Sequence, residues 1–542
     1  MTVPGIAAVD RPSLVLAVLA GLAAAVAAAM LTSPLGPTTM DPDGFASVLY
    51  FERIVAGRHL ESFVPTTPKP LLTVTYGLLW ALAGDWRVPV LLTVAGWGIA
   101  AGLVTLLAWR GGGAVTAGFV GVALAGWSAL ALEVSRANSL VWALAFLAAA
   151  ALLLRDARPR RGVVAGVGLL LLLAGTSRVE GLLATAALGG TLALVWLAGV
   201  VRRRWAGDGH RRRRPAALRW WPAVPIGALA LPAMLVHDWL LTGDPWFWVS
   251  VASRYTAIYA SGLEPLPPLE YLSVVVERME PLALLVVLAA IGAAGLLRRR
   301  DWAIAGGLAV LSLGVLAMLS VLAARGVYIS NRYYEPVELA IIGGAGLGLA
   351  YALAAATRLL GRRPLGERAS VASLAVAVAV GAIVAVAIRW PLTPWDERAD
   401  RLVADVRRSA VNLDHFAGTF SEVLASTPAP PDGAFEAVGA PERDQRDSTL
   451  LVSSRSVSRV VVEQGSTLLD VGDLYAAILA AGTPEEMLPG PTVLHDSNVD
   501  RPRERFEFLE VSSPTSIGGL ELVPLEVDAE AGAWLLEIRD AR

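Results

Sequence analysis

The chain has 542 residues, of which 55% are hydrophobic and only 17% are charged, so it is too apolar for an ordinary soluble multidomain protein. It contains no cysteine, which excludes disulfides, cysteine-ligated metals and thiol nucleophiles. The net charge of −2 hides an asymmetry, because residues 391–542 carry 27 acidic residues against 13 arginines, whereas residues 1–390 carry 20 against 32 basic residues. This change predicts a domain boundary near Pro391.

Long apolar segments follow one another from residue 13 to residue 390. Each approaches or exceeds the ~20 residues that a helix needs to cross a bilayer. They are continuously rich in Ala, Leu, Val and Gly, which excludes the alternating pattern of a barrel strand. The clearest segments are Ser13–Leu31, Val88–Trp109, Gly181–Val201, Trp302–Ala324 and Ala369–Ile388. The fold class predicted for residues 13–390 is an all-α polytopic membrane domain.

The segment Leu71–Gly84 decides how many helices are counted as spanning. It is about 14 residues long and follows the proline-rich run Pro65–Pro70, so we expect it to lie on the membrane or dip into it. Eleven spanning helices then remain, and the arginine-rich loops all fall on one side, which the positive-inside rule assigns to the cytoplasm. This arrangement places residues 1–12 inside, and the first outer loop 34–87 and residues 391–542 outside.

Residues 391–542 have the composition of a water-soluble domain. A helical stretch is predicted near Asp396–Leu424, and short strands are predicted at Leu450–Ser454, Val457–Val462 and Trp534–Ile538. We expect an extracytoplasmic α/β or α+β domain. Its sequence contains no nucleophile elbow, P-loop or metal-binding motif, so its expected role is acceptor recognition or stability.

The first outer loop begins with two acidic residues that could carry chemistry. Asp41 and Asp43 flank Pro42 directly after the first apolar segment. A carboxylate held there could take a proton from the hydroxyl of a substrate presented at the membrane surface. The alternative is a helix cap, because the amphipathic stretch Phe45–Ala56 follows.

Lys69 is the only lysine in the chain, and it stands in the turn Pro68-Lys69-Pro70-Leu71. A compact ammonium group is a good point charge for a phosphate. The alternative is a lysine whose stem lies along the membrane interface while its charge reaches water.

Three short turns, all expected on the outer side, pair an arginine with an acid or an amide. They contain Glu133, Arg136 and Asn138; Arg178 and Glu180; and Arg332 and Glu335. Guanidinium groups suit bidentate contacts with phosphate, although each turn could instead form a local ion pair or an interfacial anchor. Aromatic residues near Trp246 and Tyr255 could provide platforms for sugar rings or form an interfacial belt.

The order of these motifs resembles the GT-C superfamily of membrane glycosyltransferases. That superfamily includes protein O-mannosyltransferases, aminoarabinose transferases and bacterial arabinofuranosyl- and mannosyltransferases. The resemblance covers roughly residues 13–340. The features that carry it are Asp41/Asp43, Phe45–Gly57, Pro68-Lys69-Pro70-Leu71, Arg178-Val-Glu180-Gly181 and Thr242-Gly-Asp244-Pro245.

The resemblance implies an inverting glycosyltransferase of a bacterial plasma membrane. It would move a sugar from a polyprenyl-phosphate donor to an extracytoplasmic glycan, lipid or protein during cell-wall biogenesis. The implied catalytic base is Asp43, with Asp41 second. The implied donor-phosphate ligands are Lys69, Arg178 and Arg332. The implied substrate-orienting residues are Glu133, Arg136, Asn138 and Glu180.

The resemblance implies no specific cofactor and allows a divalent metal. Two departures from the family's pattern count against a carboxylate metal site, because Pro42 separates the two acids and Pro68 stands where relatives can have an acid. The expected partners are the lipid-linked sugar, the acceptor and membrane lipids, with no nucleic acid. The competing hypothesis is a multispan transporter or a flippase for lipid-linked glycans. That class predicts internal repeats and charges at mid-membrane. The sequence shows no clear repeat, and its charges lie at the ends of the apolar segments.

Overall fold

A computed structural model describes most of residues 11–359 and a set of strands near the C-terminus. Within residues 11–359 the positions not described are 36–41, 60–67, 86, 128–133, 135–136, 157, 207–215, 249–266, 268–269, 272, 274, 276–282 and 325–330. Beyond residue 359 the structure describes 375, 377–379, 381, 448–453, 467–470, 492–495, 514–517, 520–528 and 533–540.

The first part of the chain is mostly helical. Its helices are α1 (Arg11–Leu35), α2 (Pro42–Val55), α3 (Pro70–Ala83), α4 (Arg87–Ala125), α5 (Leu140–Asp156), α6 (Arg161–Ser177), α7 (Val179–Ala206), α8 (Ala223–Ala228), α9 (Ala230–Thr242), α10 (Ala283–Arg299), α11 (Trp302–Ala309), α12 (Val315–Ala324) and α13 (Glu335–Leu359). A π-helical turn, Val310–Gly314, joins α11 to α12. Two 3₁₀ turns, Ala216–Trp220 and Asn331–Tyr334, precede α8 and α13.

Six helical segments in the described part of the chain are long and apolar enough to cross a membrane. They are Arg11–Met30, Arg87–Ala125, Val179–Val201, Ala217–Thr242, Ile304–Ala324 and Glu335–Ala356. Three shorter apolar helices accompany them, at Pro70–Ala83, Leu140–Arg155 and Arg161–Ser177. The chain is therefore an α-helical membrane protein in its first part, as its composition predicts.

Helix α4 is a hairpin of two helical halves that meet at Gly113. Gly113 has φ 76° and ψ −161°, a conformation that glycine adopts at little cost because it lacks a Cβ. A Cβ placed on Gly121 would lie 2.9 Å from the Cβ of Ala20 and 3.4 Å from Oγ1 of Thr105. The second half of α4 therefore packs back on the first half, and α1 packs against both.

Small residues allow several helices to approach closely. A Cβ on Gly348 of α13 would overlap the carbonyl oxygen of Leu288 in α10, and one on Gly292 would overlap the backbone of Gly344. Close backbone contact at small residues is a common way for membrane helices to gain packing energy, since lipid tails are as apolar as leucine. The main apolar cluster, which includes Trp97, Phe119 and Trp127, fills the space between α4, α5 and α13.

Near the C-terminus, six strands form one mixed sheet in the order β2-β3-β1-β6-β5-β4. The strands are β1 (Ser448–Ser453), β2 (Thr467–Asp470), β3 (Thr492–His495), β4 (Thr515–Ile517), β5 (Leu520–Asp528) and β6 (Ala533–Asp540). The strands β1, β2 and β3 run parallel to one another, and β1 pairs antiparallel with β6.

The predicted strands Leu450–Ser454 and Trp534–Ile538 correspond to β1 and β6. Sequence patterns alone did not identify the other four strands. The predicted strand Val457–Val462, the helical stretch Asp396–Leu424 and the boundary near Pro391 lie outside the described residues.

Candidate functional site

Helix α3 is a short apolar helix with one buried face, and it lies at the centre of the candidate site. Lys69 precedes it, Pro70 occupies its first position, and Gly84 ends it with φ 61°. Proline at the start and a left-handed glycine after the end favour these boundaries. The buried face consists of Leu72, Thr73, Tyr76 and Gly77. The opposite face exposes Val74, Leu78 and Leu82.

The polar groups on the buried face of α3 reach three other segments. The Thr73 hydroxyl lies 2.9 Å from Nε2 of His237 in α9. The Tyr76 hydroxyl lies 2.7 Å from Oγ1 of Thr93 in α4 and donates to the carbonyl oxygen of Ala137 at 3.1 Å. Buried polar groups need such partners because the surrounding apolar environment offers none. The contacts therefore fix the rotation of α3.

His237 and Asp238 form a buried polar pair in the otherwise apolar helix α9. They are 5% and 4% exposed, and Nδ1 of His237 lies 3.3 Å from Oδ1 of Asp238. The other carboxylate oxygen of Asp238 accepts the backbone N–H of Trp248 at 2.9 Å. When Nδ1 carries the proton, the imidazole donates to Asp238 and accepts from Thr73. The ring of Tyr50 in α2 meets the imidazole edge to face, with 5.8 Å between ring centroids.

Arg178 occupies the break between α6 and α7. Its backbone is extended, with φ −162° and ψ 146°, and its N–H closes α6 by donating to the carbonyl oxygen of Ala174. The side chain is 8% exposed, and its Nε donates to Oε1 of Glu180 at 2.7 Å. Glu180 lies in the first turn of α7, where the helix dipole favours a negative charge. A Cβ on Gly181 would overlap the backbone of α6, so the glycine of this motif is sterically required.

Asn138 joins the start of α5 to Arg178. Its Oδ1 accepts the backbone N–H of Leu140 at 2.9 Å and the Nη1–H of Arg178 at 3.1 Å. The preceding residue, Ala137, has φ 62°, which is uncommon for a residue with a Cβ. Its carbonyl oxygen accepts the Tyr76 hydroxyl, so the strained residue is fixed by α3.

Helix α3 connects two polar groups, the pair His237 and Asp238 and the group formed by Asn138, Arg178 and Glu180. Thr73 contacts His237 on one side, and Tyr76 contacts Ala137, the neighbour of the Arg178 ligand Asn138, on the other. Helix α3 also packs against α6, which ends directly before Arg178. Lys69, at the start of α3, is 7% exposed. Lys69 and Arg178 are therefore both buried on segments that pack against each other.

The structure brings together three of the predicted site residues, buries a fourth, and leaves the side chains of the others undescribed. Lys69, Asn138, Arg178 and Glu180 are all buried, and the last three are joined by hydrogen bonds. The predicted residues Asp41, Glu133 and Arg136 lie outside the described residues. Asp43 lies in α2 and Arg332 in a 3₁₀ turn, but their side chains lie outside the described part of the structure.

Sequence patterns missed the residues that connect the site. Thr73, Tyr76, His237 and Asp238 were not among the predicted site residues, yet each is 5% exposed or less. The signal that could have found them is a polar residue inside an apolar segment, which in a membrane protein usually has a partner or a function. That signal does not identify the partner, because the partners lie far away along the chain.

The buried polar cluster is defined by the residues Thr73, Tyr76, Asn138, Arg178, Glu180, His237 and Asp238. The cluster combines opposite charges with hydrogen-bond donors and acceptors in a buried region. Oε2 of Glu180 is buried, and it has no hydrogen-bond partner among the described residues. No group of three or more His, Asp or Glu side chains in the described part of the chain is arranged to hold a metal ion. The geometry can therefore orient cationic side chains and transfer protons between hydroxyl, imidazole and carboxylate groups.

The fold and the buried cluster define an α-helical membrane protein with a polar site where several helices end. No protein-family model matches the sequence, and no curated protein matches it.

Proposed function

We propose that this protein is an inverting glycosyltransferase that moves a sugar from a polyprenyl-phosphate donor to an extracytoplasmic acceptor. The observation that carries the proposal is the burial of Lys69 and Arg178 on packed segments at the ends of apolar helices. Cations in such a position suit a ligand with a phosphate at the edge of the hydrocarbon and a chain within it. The order of motifs that resembles GT-C glycosyltransferases supports the same reading.

The proposed reaction is a single in-line displacement at the anomeric carbon. The acceptor oxygen forms a bond to that carbon while the bond from carbon to the phosphate oxygen breaks, which inverts the configuration. The hydroxyl proton of the acceptor passes to Asp43, with Asp41 as the second candidate. Lys69, Arg178 and Arg332 offset the negative charge of the departing lipid phosphate.

The proposed orienting groups act on the cations and on the sugar. Asn138 and Glu180 hold the guanidinium of Arg178 in one orientation through the hydrogen bonds described above. Glu133 and Arg136, on the turn that precedes Asn138, are assigned to the sugar hydroxyls. Fixing the phosphate ligands before the donor arrives reduces the entropy that must be lost in the transition state.

We also propose eleven spanning helices, with a cytoplasmic N-terminus and an extracytoplasmic domain at 391–542. The proposed count divides α4 at Gly113, leaves out α3, and adds α5, α6 and α10 to the six long segments, which gives ten passes in the described residues. The eleventh is the predicted segment Ala369–Ile388.

Because the chain lacks cysteine, single introduced cysteines and an impermeant thiol reagent test this arrangement. Labelling from outside is expected at positions 264 and 440 and not at 156, 208 or 365, and external labelling of 208 would reverse the orientation.

The proposed activity is tested by the release of free polyprenyl phosphate from polyprenyl-phosphate mannose, arabinose and glucose by the purified full-length protein. Loss of general-base catalysis lowers rates by about 10²–10⁴-fold, so Asp43→Asn should abolish most release while insertion and donor binding persist. Since Asn caps helices as well as Asp does, the capping alternative predicts almost no effect. If Asp41→Asn is the inactive variant instead, the base is Asp41.

The same assay separates the transferase from the competing transporter or flippase. A transporter moves the intact lipid-linked sugar across vesicles of defined composition and releases no polyprenyl phosphate. Such a result would refute the proposed function. If polyprenyl phosphate is released, mass spectrometry of cell-envelope glycans from a deletion strain would identify the sugar and its acceptor.

A further inference from the structure

An apolar cavity of about 270 Å³ lies between the helices, away from the buried polar cluster. Side chains from α4, α5, α6, α7, α11 and α13 line it, and almost all of them are aliphatic. A cavity with so few polar groups cannot hold ordered water, which needs two to four hydrogen-bonding partners. In a membrane protein the available occupant is a hydrocarbon chain.

The cavity is closed at one end and open at its side. Val120, Leu144 and Leu339 line it near the starts of α5 and α13, and they are 0%, 3% and 5% exposed. Gly306 and Gly307 of α11 also line it, and they are exposed. A Cβ placed on either glycine would meet no atom within 4 Å. The mouth of the cavity therefore lies beside α11.

The helix next to the mouth departs from regular α-helical geometry. The π-helical turn Val310–Gly314 follows directly after α11, and Val310 and Leu311 line the cavity. A π-helical turn inserted in a helix is uncommon and is often found at functional sites. This observation is independent of the volume of the cavity, and it supports a role for the space beside it.

The far end of the cavity is bordered by charged residues. Leu107, Leu154 and Ile304 line this end. Arg155 directly follows Leu154, and it donates from Nε to Oδ2 of Asp301 at 3.0 Å and from Nη2 to the carbonyl oxygen of Arg110 at 2.6 Å. This end is termed the basic end, because the adjacent run Arg298–Arg300 adds further positive charge beside the carboxylate of Asp301.

We infer that the cavity holds an acyl chain of an anionic phospholipid whose phosphate binds at the basic end, beside Arg110 and Arg155. The apolar lining and the lateral mouth accept the chain directly from the bilayer. The excess of guanidinium groups selects a phosphate without a balancing ammonium group. Because buried aliphatic side chains close the opposite end, the site is separate from the buried polar cluster and does not depend on the proposed transferase activity.

The chain-binding part is tested by closing the mouth. Purified full-length protein in detergent is titrated with palmitoyl-oleoyl phosphatidylglycerol, and binding is counted by native mass spectrometry. Gly307→Leu should fill the mouth and weaken binding about tenfold or more. The matched control is Gly166→Leu, because Gly166 is also a helical glycine with open space at its Cβ but does not line the cavity. Unchanged binding by Gly307→Leu would overturn the inference.

The head-group part is tested with phosphatidylcholine of the same chains and with soluble glycerol phosphate. The intact protein should bind phosphatidylglycerol about tenfold more tightly than phosphatidylcholine, and glycerol phosphate alone should bind far more weakly. Arg155→Gln should remove this preference. Asp301→Asn breaks the same ion pair but leaves the arginine, so it should keep the preference. Equal binding of both lipids, full binding of glycerol phosphate, or equal losses in the two variants would each overturn the inference.

Discussion

Arg178 donates from Nη1 to Oδ1 of Asn138 at 3.1 Å, although the two residues are 40 positions apart. The same oxygen accepts the backbone N–H of Leu140, so one amide group joins the start of α5 to the break between α6 and α7. Glu180 contacts the other side of the guanidinium. The arginine is consequently held in place by two segments that the chain brings together only when it folds.

We expect Arg178→Met to destabilise the protein by about 3–5 kcal/mol, because it leaves the carboxylate of Glu180 buried without its cation. The double variant Arg178→Met with Glu180→Leu should recover part of the loss, since two apolar groups replace the pair. Thermal unfolding in detergent measures both. A double variant that is less stable than the single one would show that the unpaired carboxylate is not the cause of the loss.

We expect Lys69→Ala to weaken the binding of polyprenyl phosphate about tenfold, because a charged partner of the phosphate is lost. Turnover should fall as well, since the lipid carries phosphate charge before the displacement begins. Native mass spectrometry with added polyprenyl phosphate measures the affinity. The control is Arg58→Ala, because Arg58 is exposed just after α2. Equal effects of the two substitutions would indicate a general electrostatic attraction rather than a site.

We expect Thr73→Val to cost about 1–3 kcal/mol, because it leaves the buried Nε2 of His237 without the hydroxyl that contacts it. Thr73→Ser keeps the hydroxyl and removes one methyl group, so it should cost less. The difference between the two melting temperatures is the measurement. If Thr73→Val is as stable as Thr73→Ser, the hydrogen bond to His237 does not hold α3 against α9.

We expect Gly348→Ala to separate α10 from α13, because the added Cβ would overlap the carbonyl oxygen of Leu288. A backbone atom cannot rotate away as a side chain can, so the cost should be several kcal/mol. The control, Gly166→Ala, meets open space in α6 and should be neutral or stabilising by about 0.5–1 kcal/mol. Thermal unfolding of the two variants should therefore shift in opposite directions or differ clearly in size.

Burial raises the pKa of Glu52 in α2 above its ordinary value of 4.5, while Arg53 and a hydrogen bond from Trp80 partly oppose the rise. The folded protein therefore binds the proton more tightly than the unfolded chain does. The stability due to this proton is present below pH 4.5 and is lost as the pH rises through the raised pKa.

Glu52→Gln should remove this dependence and stabilise the protein at neutral pH. Melting temperatures from about pH 4 to about pH 8 test the effect, because the difference between the variant and the original protein should grow with pH. Glu270→Gln, at an exposed position, is the control. A constant difference across this range would contradict the assignment.

Part of the site follows from local sequence. Pro70 and Gly84 set the bounds of α3, and Lys69 and Arg178 stood out as cations beside apolar segments. Local patterns could not identify Thr73, whose partner His237 is 164 positions away. A threonine in an apolar helix can bond to its own backbone, to another helix or to water, and only packing selects among these.

The sequence by itself determined that the first part of this protein is a bundle of apolar helices. Apolar composition and helix-ending residues act over short distances, so they can be read along the chain. Tertiary structure decided that α4 turns back at Gly113, that α3 connects α9 to the start of α5, and that Asn138 meets Arg178. These contacts depend on the rotation and depth of whole helices, which result from the packing of many side chains together.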